Sequence, residues 1–81
     1  MKNTVLISGS SRGLGASIAK TFYENNYDVA INYYKSQEKA LALAKELGPK
    51  AKIYRADVSD INQVTEMINQ IKNDFGTTPS V

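Results

Sequence analysis

What this chain can fold into is set first by a change of hydrophobic period at its first glycines. "TVLIS", Thr4 to Ser8, is a short β-branched and aliphatic run that stops at Gly9, and such a run bounded by glycine reads as a buried strand. From Gly13 onward Leu14, Ile18 and Phe22 recur every four residues, with Ala19 and Tyr23 beside them. That spacing lays the apolar side chains on one face of a helix reaching about Asn25.

The same alternation repeats twice. "ENNYD" supplies turn residues, and "DVAINY", Asp28 to Tyr33, reads as a second strand. Ser36 stands where it can cap a helix, "SQEKALALAKEL", with Ala40, Leu43, Ala44 and Leu47 as one stripe. Gly48-Pro49 gives the order of a C-terminal stop. "AKIYRAD", Ala51 to Asp57, is a weaker third strand, and Ser59 or Asp60 caps a last helix whose buried face is Val64, Met67, Ile68, Ile71 and Phe75, closed by Gly76. No repeat, linker or low-complexity segment interrupts this order. Three β-α units with short connections predict an α/β fold, a parallel sheet with right-handed crossovers.

Composition narrows the chemistry. The chain has 81 residues, one small domain or part of a larger one. Ten Lys and Arg stand against eight Asp and Glu without a block of like charge, so neither nucleic acid nor an acidic membrane is expected as a partner. Cysteine and histidine are both absent, which excludes a disulfide framework, a thiolate or imidazole zinc site and a Ser-His relay. The short apolar run of "MKNTVLISGS" is far from a signal-peptide core or a membrane span, and a cytoplasmic protein is expected.

The glycines Gly9, Gly13 and Gly15 lie where the first strand meets the first helix. Such a junction gathers unpaired backbone N–H groups and the positive end of the helix dipole at one point, which suits a phosphate. Glycine lets the pyrophosphate of a dinucleotide approach the backbone closely and lets helix and strand pack tightly. The spacing fits neither G-x-G-x-x-G nor the P-loop, and taken alone the three glycines would serve equally for tight turns and packing.

"SGSSRGLG" resembles the T-G-x-x-x-G-x-G cofactor motif of the short-chain dehydrogenases/reductases, with Ser8 where threonine is usual. The likeness continues in register through "DVAINYYKS", "ADVSD" and "IKNDFG" and so covers essentially the whole chain. It is closest to the 3-oxoacyl-(acyl-carrier-protein) reductase branch. The resemblance implies the N-terminal half of a Rossmann-like doubly wound sheet, with strand order 3-2-1. It also implies an oxidoreductase transferring hydride between a nicotinamide cofactor and a carbonyl substrate, usually as a homotetramer. Gly9, Ser11, Arg12, Gly13, Leu14 and Gly15 would form the phosphate loop.

In a dinucleotide fold the end of the second strand faces the adenosine ribose, where a carboxylate accepts both ribose hydroxyls and repels a 2′-phosphate. Here that position reads Asn32-Tyr33-Tyr34-Lys35-Ser36, with no carboxylate before Glu38. Arg12 and Lys35 are placed to meet a 2′-phosphate, which favours NADP over NAD, although both would serve as ordinary solvated cations. Tyr34, Lys35 and Ser36 are accordingly counted with the cofactor site. By resemblance Asp57 and the Val58 backbone contact adenine, and with Ser59 or Asp60 capping the last helix Asp57 is left free for that role. As rings, Tyr33, Tyr34 and Tyr54 are read as packing residues, and Met67 as part of the apolar stripe.

The family's catalytic Tyr-x-x-x-Lys is missing: the residues four after Tyr23, Tyr27, Tyr33, Tyr34 and Tyr54 are Tyr27, Ile31, Gln37, Glu38 and Val58. The family's fourth strand, with its Asn-Asn-Ala-Gly, would begin near Val81, and Pro79 and Ser80 depart from the approach usual there. These residues are therefore expected to hold the adenosine and pyrophosphate half of a reductase and to be inactive alone. The first strand would then present an open apolar edge through which the chain self-associates. Two rival readings are a stand-alone nucleotide-binding or regulatory module, which would need a protected edge, and a flavodoxin-like phosphate-binding domain, whose usual five units are not present.

Overall fold

The structure, a computed structural model, describes residues 3–8, 13–76 and 79. Its elements are β1 (Asn3–Ser8), α1 (Gly13–Glu24), β2 (Tyr27–Tyr33), α2 (Gln37–Leu47), β3 (Ala51–Arg55) and α3 (Ile61–Phe75). The three strands form one parallel sheet ordered β1-β2-β3, the same sheet as the expected 3-2-1 read from its other edge. Each strand is followed by its helix, which is the Rossmann-like half-sheet that the alternation of periods predicts.

Strand alternation decides which helix covers which face, because successive side chains point to opposite sides. Val5, Val29, Ile31 and Ala51 face Ala19, Ala40 and Leu43 of α1 and α2, with Phe22, Tyr23 and Leu47 packed around them. Leu6, Ala30, Tyr54 and Ala56 face the other way, onto Met67 and Ile71 of α3. β2 is buried from Asp28 to Asn32 because it is covered on both faces and both edges, the environment that calls for a near-continuous apolar run. Full burial of Val29 and Ile31 contributes about 1.5–3 kcal/mol each. β1 is an outer strand of the described sheet, pairing with β2 from Asn3 opposite Tyr27 to Ser8 opposite Asn32.

The helix ends follow local chemistry. Past α1, Asn26 takes a left-handed φ of 67°, a conformation asparagine tolerates better than other residues with a Cβ; its N–H donates to the Tyr23 carbonyl at 3.1 Å. At the end of α2, Gly48 has φ 129°, and a Cβ there would run into the Tyr23 hydroxyl. Gly76 ends α3 in the left-handed region, its N–H donating to the Lys72 carbonyl at 2.8 Å, as expected of a C-terminal glycine stop.

Two local expectations are corrected and one choice is decided. β3 stops at Arg55 rather than continuing to Asp57; the Ala56 N–H still reaches the Tyr33 carbonyl at 3.0 Å, but Asp57 turns back to bind Ser59. Ser36 occupies the N-cap of α2 without a side-chain capping bond, and only its carbonyl takes part, accepting from the Ala40 N–H at 3.1 Å. Of the two candidates for capping α3, it is Asp60 that does so, its carboxylate accepting from the Asn62 N–H at 3.0 Å.

Candidate functional site

All three strands are parallel, so their C-terminal ends and the loops leaving them gather along one edge of the sheet, the edge at which open α/β sheets bind ligands. Of the expected phosphate loop, Gly9, Ser11 and Arg12 lie outside the described residues, and Gly13, Leu14 and Gly15 form the first turn of α1. The loops after β2 and β3 are described in full and bring Tyr34, Lys35 and Ser36 to one side of this edge and Asp57 and Val58 to the other.

Asn32 is the hub between them, and the sequence reading did not single it out. It stands on the last shared rung of the sheet, opposite Ser8 on one side and Tyr54 on the other, and it is 3% exposed. Its Oδ1 accepts from the Ser8 hydroxyl at 3.0 Å. Its Nδ2 donates to the carbonyls of Ala56 at 3.2 Å and Tyr54 at 3.3 Å, with the Met67 sulfur 3.4 Å away. One side chain thus ties the end of β1, where the glycine loop begins, to the point where the chain leaves β3 for Asp57. The signal was an amide directly after the apolar run Val29 to Ile31: a buried polar group must find partners, but those partners lie 22 to 35 residues away in sequence.

Around Ser8 and Asn32 lies a crevice of about 210 Å³, otherwise lined by Leu6, Val58, Val64, Met67 and Ile68. Val58 is 59% exposed, an apolar side chain held open beside an apolar crevice. On the other side, Lys35, Ser36, Gln37, Glu38 and Lys39 line a shallow polar hollow at the start of α2.

Asp57 does not cap α3, as expected, but one of its carboxylate oxygens is engaged within its own loop. Its Oδ1 accepts both the Ser59 hydroxyl at 2.7 Å and the Ser59 N–H at 3.0 Å. These two bonds, with the Lys35 cation adding a smaller share, hold its carboxyl below the ordinary value of 3.8. Its N–H donates to the Gln63 side chain at 2.9 Å, and Gln63 in turn donates to Asp60 at 3.1 Å. The β3–α3 loop is therefore a closed hydrogen-bonded turn that presents Val58 at its tip. Tyr54 is a packing residue as expected, buried and donating to Asp74 at 2.7 Å; burial first, then the bond and the charge of Asp74, raise its phenol far above the usual value.

Beyond β2, Tyr34 stands 42% exposed. The Arg55 guanidinium lies over its ring at 5.0 Å from the centroid, and the Lys35 ammonium at 5.9 Å. Among the described residues no group of acidic side chains is arranged to hold a metal ion, and no helix is long and apolar enough to cross a membrane.

A parallel half-sheet with helices on both faces and its loops gathered at the carboxyl edge defines the Rossmann-like class of α/β proteins. The sequence profile of the short chain dehydrogenases matches residues 3–78, and the chain belongs to that family. It is similar to 3-oxoacyl-(acyl-carrier-protein) reductase from Staphylococcus aureus, at 39% identity over 95% of this chain and 32% of that protein. It is also similar to the NADP-dependent mannitol dehydrogenase of Hypocrea jecorina, at 38% identity over 89% of this chain and 29% of that protein. A crystal structure of a dehydrogenase/reductase from Sinorhizobium meliloti superposes with a TM-score of 0.86 at 32% identity, covering 91% of this chain and 31% of that one. The chain spans about a third of the length of the relatives it matches.

Proposed function

We propose that these residues form the part of an NADP(H)-dependent carbonyl reductase that binds the adenosine and pyrophosphate of the cofactor, in a protein resembling 3-oxoacyl-(acyl-carrier-protein) reductase. The observation that carries the reading is the chemistry at the end of β2: an amide and two phenols stand where a carboxylate would select NAD, and two cations, Lys35 and Arg55, lie over Tyr34 beside them. The donor set fits a phosphomonoester on the ribose. In this reading Gly9, Ser11, Arg12, Gly13, Leu14 and Gly15 hold the pyrophosphate at the start of α1, Arg12, Lys35 and Ser36 meet the ribose phosphate, and Asp57 and Val58 border the adenine. The mannitol dehydrogenase named above, an NADP-dependent protein, supports the choice of cofactor.

NADPH supplies the hydride in such a reduction. The groups that would donate the proton to the carbonyl are no part of this sequence, which has no Tyr-x-x-x-Lys pair, and the 81 residues alone are expected to turn over no substrate. As a piece of a fatty-acid-synthesis type of reductase the protein would work in the cytoplasm. The outer strand β1 would seat a further strand or a second copy; light scattering should show association, and a sharp monomer with a cooperative melt would contradict that.

The reading is tested by titrating the chain calorimetrically with 2′,5′-ADP and with 5′-AMP. Tighter binding of 2′,5′-ADP, with the preference lost in Arg12→Ala, is expected. Equal binding of the two ligands by a folded chain would sink it.

A further inference from the structure

Arg55 is absent from every motif by which this sequence resembles its family, yet the fold brings it to the ribose side of the site. It pairs with Tyr33 in the sheet, one residue beyond the rung of Ser8, Asn32 and Tyr54. Strand alternation therefore turns it away from α3, to the face covered by α1 and α2, where α2 begins at Gln37 just past Lys35. Its guanidinium lies over the Tyr34 ring at 5.0 Å, and Lys35 reaches the same ring. Among the described residues no carboxylate pairs with Arg55.

A cation held over an aromatic face is restrained without using its hydrogen bonds, since the attraction is to the ring quadrupole. Arginine suits this because its fork keeps several N–H donors for a second partner while its charge lies over the ring, whereas an ammonium is a point charge. An arginine held over a ring, with no carboxylate partner and a lysine beside it, is arranged to receive a dianion, and phosphomonoester oxygens match the fork in geometry and charge.

Resting on the NADP reading above, we propose that Arg55, restrained by Tyr34, is a specificity-determining residue that joins Lys35 in recognising a 2′-phosphate on the adenosine ribose. The ring keeps the guanidinium near the end of β2 before the ligand arrives. The position is thus a second described cation of the site, supplied by β3 rather than by the loop after β2.

The test is calorimetric titration of the 81-residue chain and its Arg55→Ala, Arg55→Lys and Tyr34→Leu variants with 2′,5′-ADP and, separately, 5′-AMP. Arg55 and Tyr34 are surface residues, and circular dichroism verifies that each variant is folded. Arg55→Ala should weaken 2′,5′-ADP roughly tenfold, the worth of one charge-assisted contact, and leave 5′-AMP unchanged. Arg55→Lys should lose less, and Tyr34→Leu should weaken 2′,5′-ADP alone. If wild type prefers 2′,5′-ADP and Arg12→Ala removes that preference, but Arg55→Ala changes nothing or weakens both ligands equally, the assignment of Arg55 is overturned and the NADP reading stands. A wild-type chain that binds the two ligands alike, or binds neither, overturns both.

Discussion

The two ends of this sheet are secured by different means. At the amino end, where chains enter the strands, the turns close mainly through backbone geometry and ring contacts, with one local side-chain bond from Asn25 to the Thr21 carbonyl at 2.7 Å: Asn26 and Gly48 in left-handed or open conformations, Phe22 edge-on to Tyr27 at 4.9 Å, and the Tyr23 ring beside Gly48 with the Lys50 ammonium 4.7 Å from it. At the carboxyl end, side chains do the joining, through Ser8, Asn32, Asp57, Ser59 and Gln63. The difference shows how one fold separates duties. Local turn closure fixes the architecture, and an edge joined by hydrogen bonds between distant side chains holds loops at defined spacing around a place where a polar ligand can sit.

The contrast is sharpest at Asn32. Asn32→Leu removes the donor to two buried carbonyls and the acceptor of the solvent-accessible Ser8 hydroxyl, and is expected to destabilise the fold by about 2 kcal/mol in urea denaturation. A change below about 1 kcal/mol would show that the amide is dispensable and that the two ends are not distinct. At the opposite end, Gly48→Ala places a Cβ against the Tyr23 hydroxyl at a φ that side chains avoid. A loss of about 2 kcal/mol is expected, partly relieved in a Tyr23→Phe background and without effect on nucleotide affinity. A Gly48 variant that bound nucleotide more weakly at full stability would blur the separation.

The smallest effect is electrostatic. Bonds from Ser59 lower the Asp57 carboxyl below its ordinary 3.8, so the ionised form is favoured by folding. That contribution is fully present above the ordinary value and is lost as pH falls toward the lower folded one. In Asp57→Asn, urea melts between pH 6 and pH 3 should show a shallower acid decline than wild type. An unchanged slope would mean that the bonds to Ser59 hold no stability.

The order of elements, the glycine stops at Gly48 and Gly76 and the buried stripe of Met67 and Ile71 were legible in the sequence, because period and end signals act over one or two turns of chain. Asp60 as cap was legible only as one of two choices, since Ser59 has the same local chemistry until Asp57 engages it. The site was less readable. The hub at Asn32 and the placement of Arg55 over the Tyr34 ring join residues more than twenty positions apart, and no local pattern marks them. Ser36 carried a capping signal that the structure does not use. The bond from Ser59 to Asp57 is hidden in the sequence because a serine two residues on serves equally as a candidate helix cap.

The most direct test of this separation is an amide chemical-shift map of the isotopically labelled chain titrated with 2′,5′-ADP. The shifts should cluster on Ser8 to Gly15, on Asn32 to Ser36 and on Arg55 to Ser59, with Asn26, Gly48 and Gly76 silent. Shifts spread over both ends of the sheet, or centred on Gly48 and Asn26, would contradict the assignment of ligand binding to the carboxyl edge.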